Sequence, residues 1–157
     1  MIELRPANCK DLALLWSLRT RAVAQACASH YSAAVLAAWL AAPAPDSLRR
    51  HMADGGGTVA LENGRLLGYA VLDTASGEVD AVFVEPAQQG RGVGAMLMRT
   101  LEAAALAAGH KRLFLSASLN AVAFYERVGF VAVREELYPH RSGIAIPSVY
   151  MEKQLTR

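Results

Sequence analysis

Apolar positions change period along the chain, and the changes mark its elements. Residues 2–6 alternate Ile and Leu with polar partners, the two-residue period of a strand. Asn8 and Asp11 then stand at capping-box spacing, ahead of Leu12, Leu15, Trp16 and Val23 on one helical face. Ser32 is placed to cap a second helix through Leu40, which Pro43 and Pro45 stop, and Asp46 to cap a short continuation through Met52. After the glycines at 55–57 the period becomes extended. "TVALENGRLLGYAVLD" has two β-rich arms around Asn63-Gly64, a strong hairpin signal because both turn positions want positive φ. "EVDAVFV" follows a turn from Asp73 to Gly77, so residues 57–84 form an antiparallel meander. A helix runs from about Gly92 to Ala108 and is ended by Gly109. "RLFLSAS" is a strand, Asn120 starts a helix ending at Gly129, and "FVAVREELY" and "SVYMEKQL" are the last two strands.

This order mixes a meander with one strand–helix–strand crossover. It predicts an α+β domain over residues 1–157, with a mixed sheet of about seven strands and four helices. The fourth and fifth strands, joined through a helix, should be parallel. With 54% hydrophobic and 19% charged residues, the chain has the composition of a folded core. Its longest apolar run, Ala33 to Pro45, falls short of the roughly 18 residues that cross a bilayer, so no membrane partner is expected. "MIELRP" carries no signal-peptide pattern, which makes a cytoplasmic location the expectation. The net charge of +2 is spread among both signs, which argues against nucleic acid and for a small-molecule or peptide partner. Cys9 and Cys27 form no CxxC pair and no metal-ligand cluster; both read as buried thiols, with no metal expected.

The chemistry starts at "VEPAQQGRGVGAMLM", from Val84 to Met98. A helix start carries unpaired amide hydrogens and partial positive charge, and so attracts phosphate. Gly90, Gly92 and Gly94 strip away the side chains that would hold a ligand off those amides, and Arg91 can add positive charge. The stretch therefore reads as a pyrophosphate cradle. Gly90 to Ala95 also fits the dinucleotide pattern GxGxxG/A, but no Asp or Glu lies between Glu102 and Glu126 to take a ribose hydroxyl. No GxxxxGK[ST] phosphate loop exists.

The run from Val84 to Gly94 resembles the acyl-CoA motif of the GNAT superfamily of N-acetyltransferases, Q/R-x-x-G-x-G/A, with Gln89, Gly92 and Gly94 in its fixed positions. "NAVAFYERVGF", from Asn120 to Phe130, is similar to that family's second CoA motif. The resemblance implies that the fourth and fifth strands splay apart around the pantetheine arm of acetyl-CoA. Main-chain groups of Val82, Phe83 and Val84 would meet that arm, and the amides of Gln89, Gly90, Arg91, Gly92, Val93 and Gly94 would take the pyrophosphate. Asn120 would touch the cofactor or simply cap its helix. Tyr125 matches the family's general acid for the departing thiolate, and the amide of Val82 or Phe83 its oxyanion donor. A homodimer is compatible with the resemblance.

Acetyl transfer to an amine needs a neutral nitrogen, and deprotonating an ammonium of pKa about 10.4 at pH 7 costs roughly 4 to 5 kcal/mol. Strict two-residue alternation puts Glu78, Asp80 and Val82 on one face of the fourth strand, so either acid could be the base. Glu78, six residues before Val84, is at a position resembling that of the acid used by histone-acetylating members of the superfamily; other members work through water chains. The acceptor pocket is expected from His30 and Tyr31, between the first two helices, and from Glu135, Tyr138 and His140, near the last strand connection. A non-catalytic acyl-CoA-binding module and a small dinucleotide-dependent oxidoreductase remain as alternatives.

Overall fold

The computed structural model describes residues 1–156. Its elements run β1 (Glu3–Pro6), α1 (Leu12–Ala26), α2 (Ala33–Ala41), α3 (Asp46–Ala53), β2 (Gly57–Glu62), β3 (Arg65–Asp73), β4 (Glu78–Val84), α4 (Val93–Ala107), β5 (Arg112–Ser118), α5 (Val122–Arg127), β6 (Val131–Pro139) and β7 (Ala145–Gln154). The strands form one sheet in the order β1-β2-β3-β4-β5-β7-β6. Among the described residues β4 and β5 alone pair in parallel, and every other neighbouring pair is antiparallel. The predicted α+β mixed sheet is therefore present.

There are five α-helices among the described residues where four were expected. The difference lies at Ala42–Pro45. A residue preceding proline is driven out of the helical region, and Ala42 is already extended at ψ 131°. The chain restarts at Asp46 as a separate helix. Pro45 takes its cap position, and Asp46 sits in the first turn, where its charge suits the helix dipole, without bonding the amides as a cap. The caps predicted at Asn8 and Ser32 are present. Asn8 and Asp11 bond reciprocally through Lys10 N–H to Asn8 Oδ1 and Asn8 N–H to Asp11 Oδ2, both at 2.9 Å. Ser32 Oγ accepts from Val35 N–H at 3.2 Å.

The sheet separates two apolar layers. On one face α1 and α3 pack Leu15, Leu18, Leu48 and Met52 onto Val59, Tyr69 and Val71. On the other, α4 and α5 pack Leu97, Met98, Leu101 and Tyr125 onto Leu72, Leu113, Leu115 and Met151. Cys27 is buried as expected, but Cys9 is exposed, because the short turn that carries it lies outside both layers. No helix among the described residues is long and apolar enough to cross a membrane.

Strand β4 carries one irregularity. Val71 pairs with Ala81 and Leu72 with Val79, so Asp80 is an extra residue on β4, a β-bulge. The bulge resets the alternation. Val79 joins Val82 and Val84 on the α4 side, while Ala81 and Phe83 face α1.

The β2–β3 hairpin turns on Asn63 at φ 52° and Gly64 at φ 77°, both left-handed. A Cβ at Gly64 would meet nothing within 4 Å, so backbone strain alone opposes it. Gly64→Ala should lower unfolding free energy by about 1 to 2 kcal/mol. In urea titrations the midpoint should fall with the slope unchanged.

Candidate active site

Strands β4 and β5 share a single register pair, Glu78 with Phe114. Beyond it β5 stays paired with β7 from Arg112 to Ser118, and β4 with β3 as far as Val84. The two strands thus part, and β4's main chain at Val82, Phe83 and Val84 has no strand on its β5 side. The gap opens into a cleft of about 1000 Å³ that reaches from the start of α4 to the β6–β7 hairpin.

At one end lies the glycine-rich turn. Gly90 (φ 84°) and Gly92 (φ 79°) are both left-handed, and a Cβ on either would meet no atom within 4 Å. Gly92 is the N-cap of α4, so no side chain satisfies the first amides of that helix. Val93 follows with its side chain buried. Gln89 lines the same end, and its side-chain amide donates to Val84 O at 3.4 Å. The space could hold a pyrophosphate, and the free amides there carry only the partial positive charge of a helix start.

Two residues of the motif have other roles. A Cβ on Gly94 would stand 2.8 Å from the ring of Phe124, so its bare Cα lets α5 pack against α4. Arg91 turns away from the cleft and forks onto Glu62 at 2.9 and 2.8 Å, with a further bond to Gln88. At the other end of the turn, Arg21 of α1 forks onto Glu85 at 3.0 and 2.6 Å. Exposed pairs of this kind contribute little stability individually, but these two hold both ends of the turn.

Tyr125 lies on α5 at the cleft, 8% exposed, with its ring edge-on to Phe124 and Phe130. Burial pushes its hydroxyl well above the ordinary tyrosine range and keeps it protonated. Asn120 does not cap α5, whose N-cap is Ala121; it sits in the preceding 3-10 turn. Its Oδ1 accepts from the buried Cys27 thiol at 3.1 Å, and burial raises that thiol to about 11. Ser148, also on the cleft, is buried without a hydrogen-bond partner among the described residues.

The bulge corrects the strand-face expectation. Glu78 and Asp80 both reach the cleft, but Val82 packs on the α4 side with Val79 and does not share their face. Burial raises the Glu78 carboxyl, and the charges of Asp80 and Asp73 raise it further. Asp80 has an exposed surface, yet that surface lies within the cleft walls. Burial there raises its carboxyl, offset in part by His51. Tyr138 lines the cleft beside both acids; burial and then their charges raise its hydroxyl. His140 also lines it, lowered by burial and by the nearby Arg141 and Arg19.

The other acceptor candidates fall elsewhere. His30 is exposed and bonds Ser29. Tyr31 is committed to the scaffold: it donates to Pro147 O at 2.7 Å and accepts from Leu119 N–H at 2.9 Å. Glu135 is exposed on β6, and its neighbour Glu136 points inward to accept from Ser116. Alternation along β6 separates these two side chains. Arg19 on α1 escaped prediction: it lines the cleft at 3% exposure. The signal was present, because position 19 lies four residues from both Leu15 and Val23 on the apolar helical face.

These features meet in one cleft between parted parallel strands. The sequence model described as Acetyltransferase (GNAT) domain matches residues 27–155, and the chain belongs to that family. It is similar to the uncharacterized N-acetyltransferase YafP of Escherichia coli strain K12, 27% identical over 135 residues that cover 86% of this chain and 85% of the relative. Among solved structures it resembles a GCN5-related N-acetyltransferase from Rhodopseudomonas palustris, with TM-score 0.85, 29% identity, and 98% and 95% of the two chains covered. The PaiA N-acetyltransferase of Thermoplasma acidophilum, solved with coenzyme A, shares the fold at TM-score 0.77 and 19% identity, over 98% and 99% of the two chains.

The raised Asp80 carboxyl has a consequence for stability. A folded-state pKa above the unfolded value means that ionisation at neutral pH opposes folding, whereas below about pH 3.9 both states hold the proton. Asp80→Asn should therefore raise the melting temperature at pH 7, and the gain should fade as pH drops through 4. Calorimetric scans from pH 3.5 to 8 measure it.

Proposed function

We propose that this chain transfers an acetyl group from acetyl-CoA to a primary amine of a small molecule or peptide, by direct attack in a ternary complex, with the 157 residues acting as one domain. The observation that carries this is the shared cleft: the uncapped start of α4, the unpaired edge of β4, Tyr125 and the two raised carboxyls all open into it.

Pyrophosphate oxygens accept from the amides that follow Gly90 and Gly92, and the pantetheine arm pairs with the free edge of β4. One of the acids Glu78 and Asp80, directly or through a water, takes a proton from the acceptor ammonium. A raised carboxyl is a better base at neutral pH than an ordinary one, because its pKa lies nearer the working range. The freed nitrogen attacks the thioester carbonyl carbon, and the amide of Val82 or Phe83 supports the oxygen as it gains charge. The carbon–sulfur bond then breaks. Tyr125 gives its proton to the leaving thiolate; the second proton, lost from nitrogen as the amide forms, restores the tyrosine through solvent, and the first passes from the carboxylate to solvent. Products are the N-acetylated amine and CoA.

Two measurements test this. Gly92→Asp puts a carboxylate at the cradle; the space is open, and the backbone strain of a side chain at φ 79° costs about 1 to 2 kcal/mol, so the fold should persist at lower stability. Isothermal titration should then show acetyl-CoA affinity lost while the circular dichroism spectrum is retained; unchanged affinity would refute the cradle. Tyr125→Phe should lower turnover by about 10² to 10⁴ with acetyl-CoA affinity nearly unchanged. Thiol release across an amine panel reads this directly, and a protein that binds acetyl-CoA without release would be a binding module instead.

A further inference from the structure

Arg19 is a buried cation without an anion. Its guanidinium lies 4.3 Å from the Trp16 ring and donates to Trp39 O at 2.7 Å, with a long 3.5 Å contact to Thr20 Oγ1. Both partners are neutral, and the remaining donors of the guanidinium have no side-chain or backbone acceptor among the described residues. Arg141, from the β6–β7 hairpin, stands 5.9 Å from the same indole and donates to Pro43 O. No carboxylate of the described residues pairs with either guanidinium. His140 faces the same region and feels both charges.

Two guanidiniums gathered on one indole repel, and burying one of them unpaired is destabilising. A link between α1 and the Trp39 carbonyl of α2 needs only a neutral donor. Retaining two cations here makes physical sense if an anion joins them. The acids at the start of β4 line the same cleft, and Tyr69 is within electrostatic reach of both Arg19 and Asp80. The cleft thus holds carboxylates where the acceptor nitrogen would lose its proton and, unpaired with them, two guanidiniums on the same walls.

We propose that Arg19 and Arg141 bind a carboxylate on the acceptor, so that the substrate is a zwitterion-type molecule bearing both an amine and a carboxylate. This rests on the acetyl-transfer reading above. The planar guanidinium fork matches carboxylate geometry, and a rigid Trp16 platform fixes the plane in which Arg19 presents it. Arg19 and Arg141 act here as specificity residues and take no part in the bond changes.

The test uses the whole protein and matched acceptor pairs, amino acids against their primary amides. The amide lacks the negative charge but keeps a less basic, hence more available, α-amine, so the comparison is biased against the proposal. Expected is a kcat/KM for the carboxylate at least about tenfold above that of the amide. Arg141→Gln should erase this preference by weakening the carboxylate substrate alone, while acetyl-CoA affinity stays at the wild-type level. Arg19→Lys, which keeps charge but loses the fork, should weaken it as well, with folding verified by circular dichroism. Equal turnover of both members, or an equal loss for both in Arg141→Gln, would overturn the proposal. Thermal stabilisation by the amino acids alone separates it from the parent reading. Stabilisation lost in Arg141→Gln, without thiol release from any amine, would uphold the carboxylate site and refute acetyl transfer. Absence of both stabilisation and preference would refute the carboxylate site.

Discussion

Strand β4 is bonded along its length to β3 and along almost none of it to β5. Main-chain groups in a sheet need partners, and an edge left open inside a sheet is a template for an extended ligand. The remaining architecture serves that opening. The crossover from β4 to β5 must start where β4 ends, so the amino terminus of α4 is delivered to the mouth of the gap. β5 leans toward β7, with which it pairs fully, and α5 follows β5 to bring Tyr125 to the opposite wall. Gly94 allows α5 to lie close, because any side chain there would strike Phe124.

Charge is distributed along the same opening rather than balanced locally. The helix start is positive without a side chain, the acids of β4 cluster near Tyr138, and the guanidiniums of Arg19 and Arg141 gather on Trp16. Away from the cleft some arginines are paired, as Arg5 is with Asp11 and Arg112 with Glu152, while Arg49, Arg65 and Arg99 are exposed and form no ion pair among the described residues. Arg19 differs from those unpaired arginines in its burial, at 3% exposure, where water cannot solvate the charge freely.

Much of the fold was legible because its signals are local. Asn63-Gly64, the Asn8 to Asp11 box and the period changes at Gly57 and Gly92 depend on a few adjacent residues, and each element formed near its predicted bounds. The glycine turn and the Tyr125 helix were legible for the same reason. What sequence concealed depends on pairing across the fold. The bulge at Asp80 exists only relative to β3, so strict alternation misplaced Val82. Arg91 was read as a phosphate ligand because Glu62, its partner, is remote in sequence. Tyr31 likewise spends its hydroxyl on a residue 116 positions away. Arg19 stood in plain view on an apolar stripe, and only the absence of an acid beside it, visible in three dimensions, makes it informative.

The forks of Arg21 to Glu85 and of Arg91 to Glu62 brace the glycine turn from outside, on α1 and β2. The loop between them holds left-handed glycines that, unbraced, would sample many conformers. The braces move that loss of freedom into folding, so a ligand meets a shape already made and sheds less entropy on arrival. Its capture is then governed by diffusion and the field of the helix terminus rather than by loop closure, and raised ionic strength, by loosening two forks far from any ligand atom, would slow recognition from the outside in.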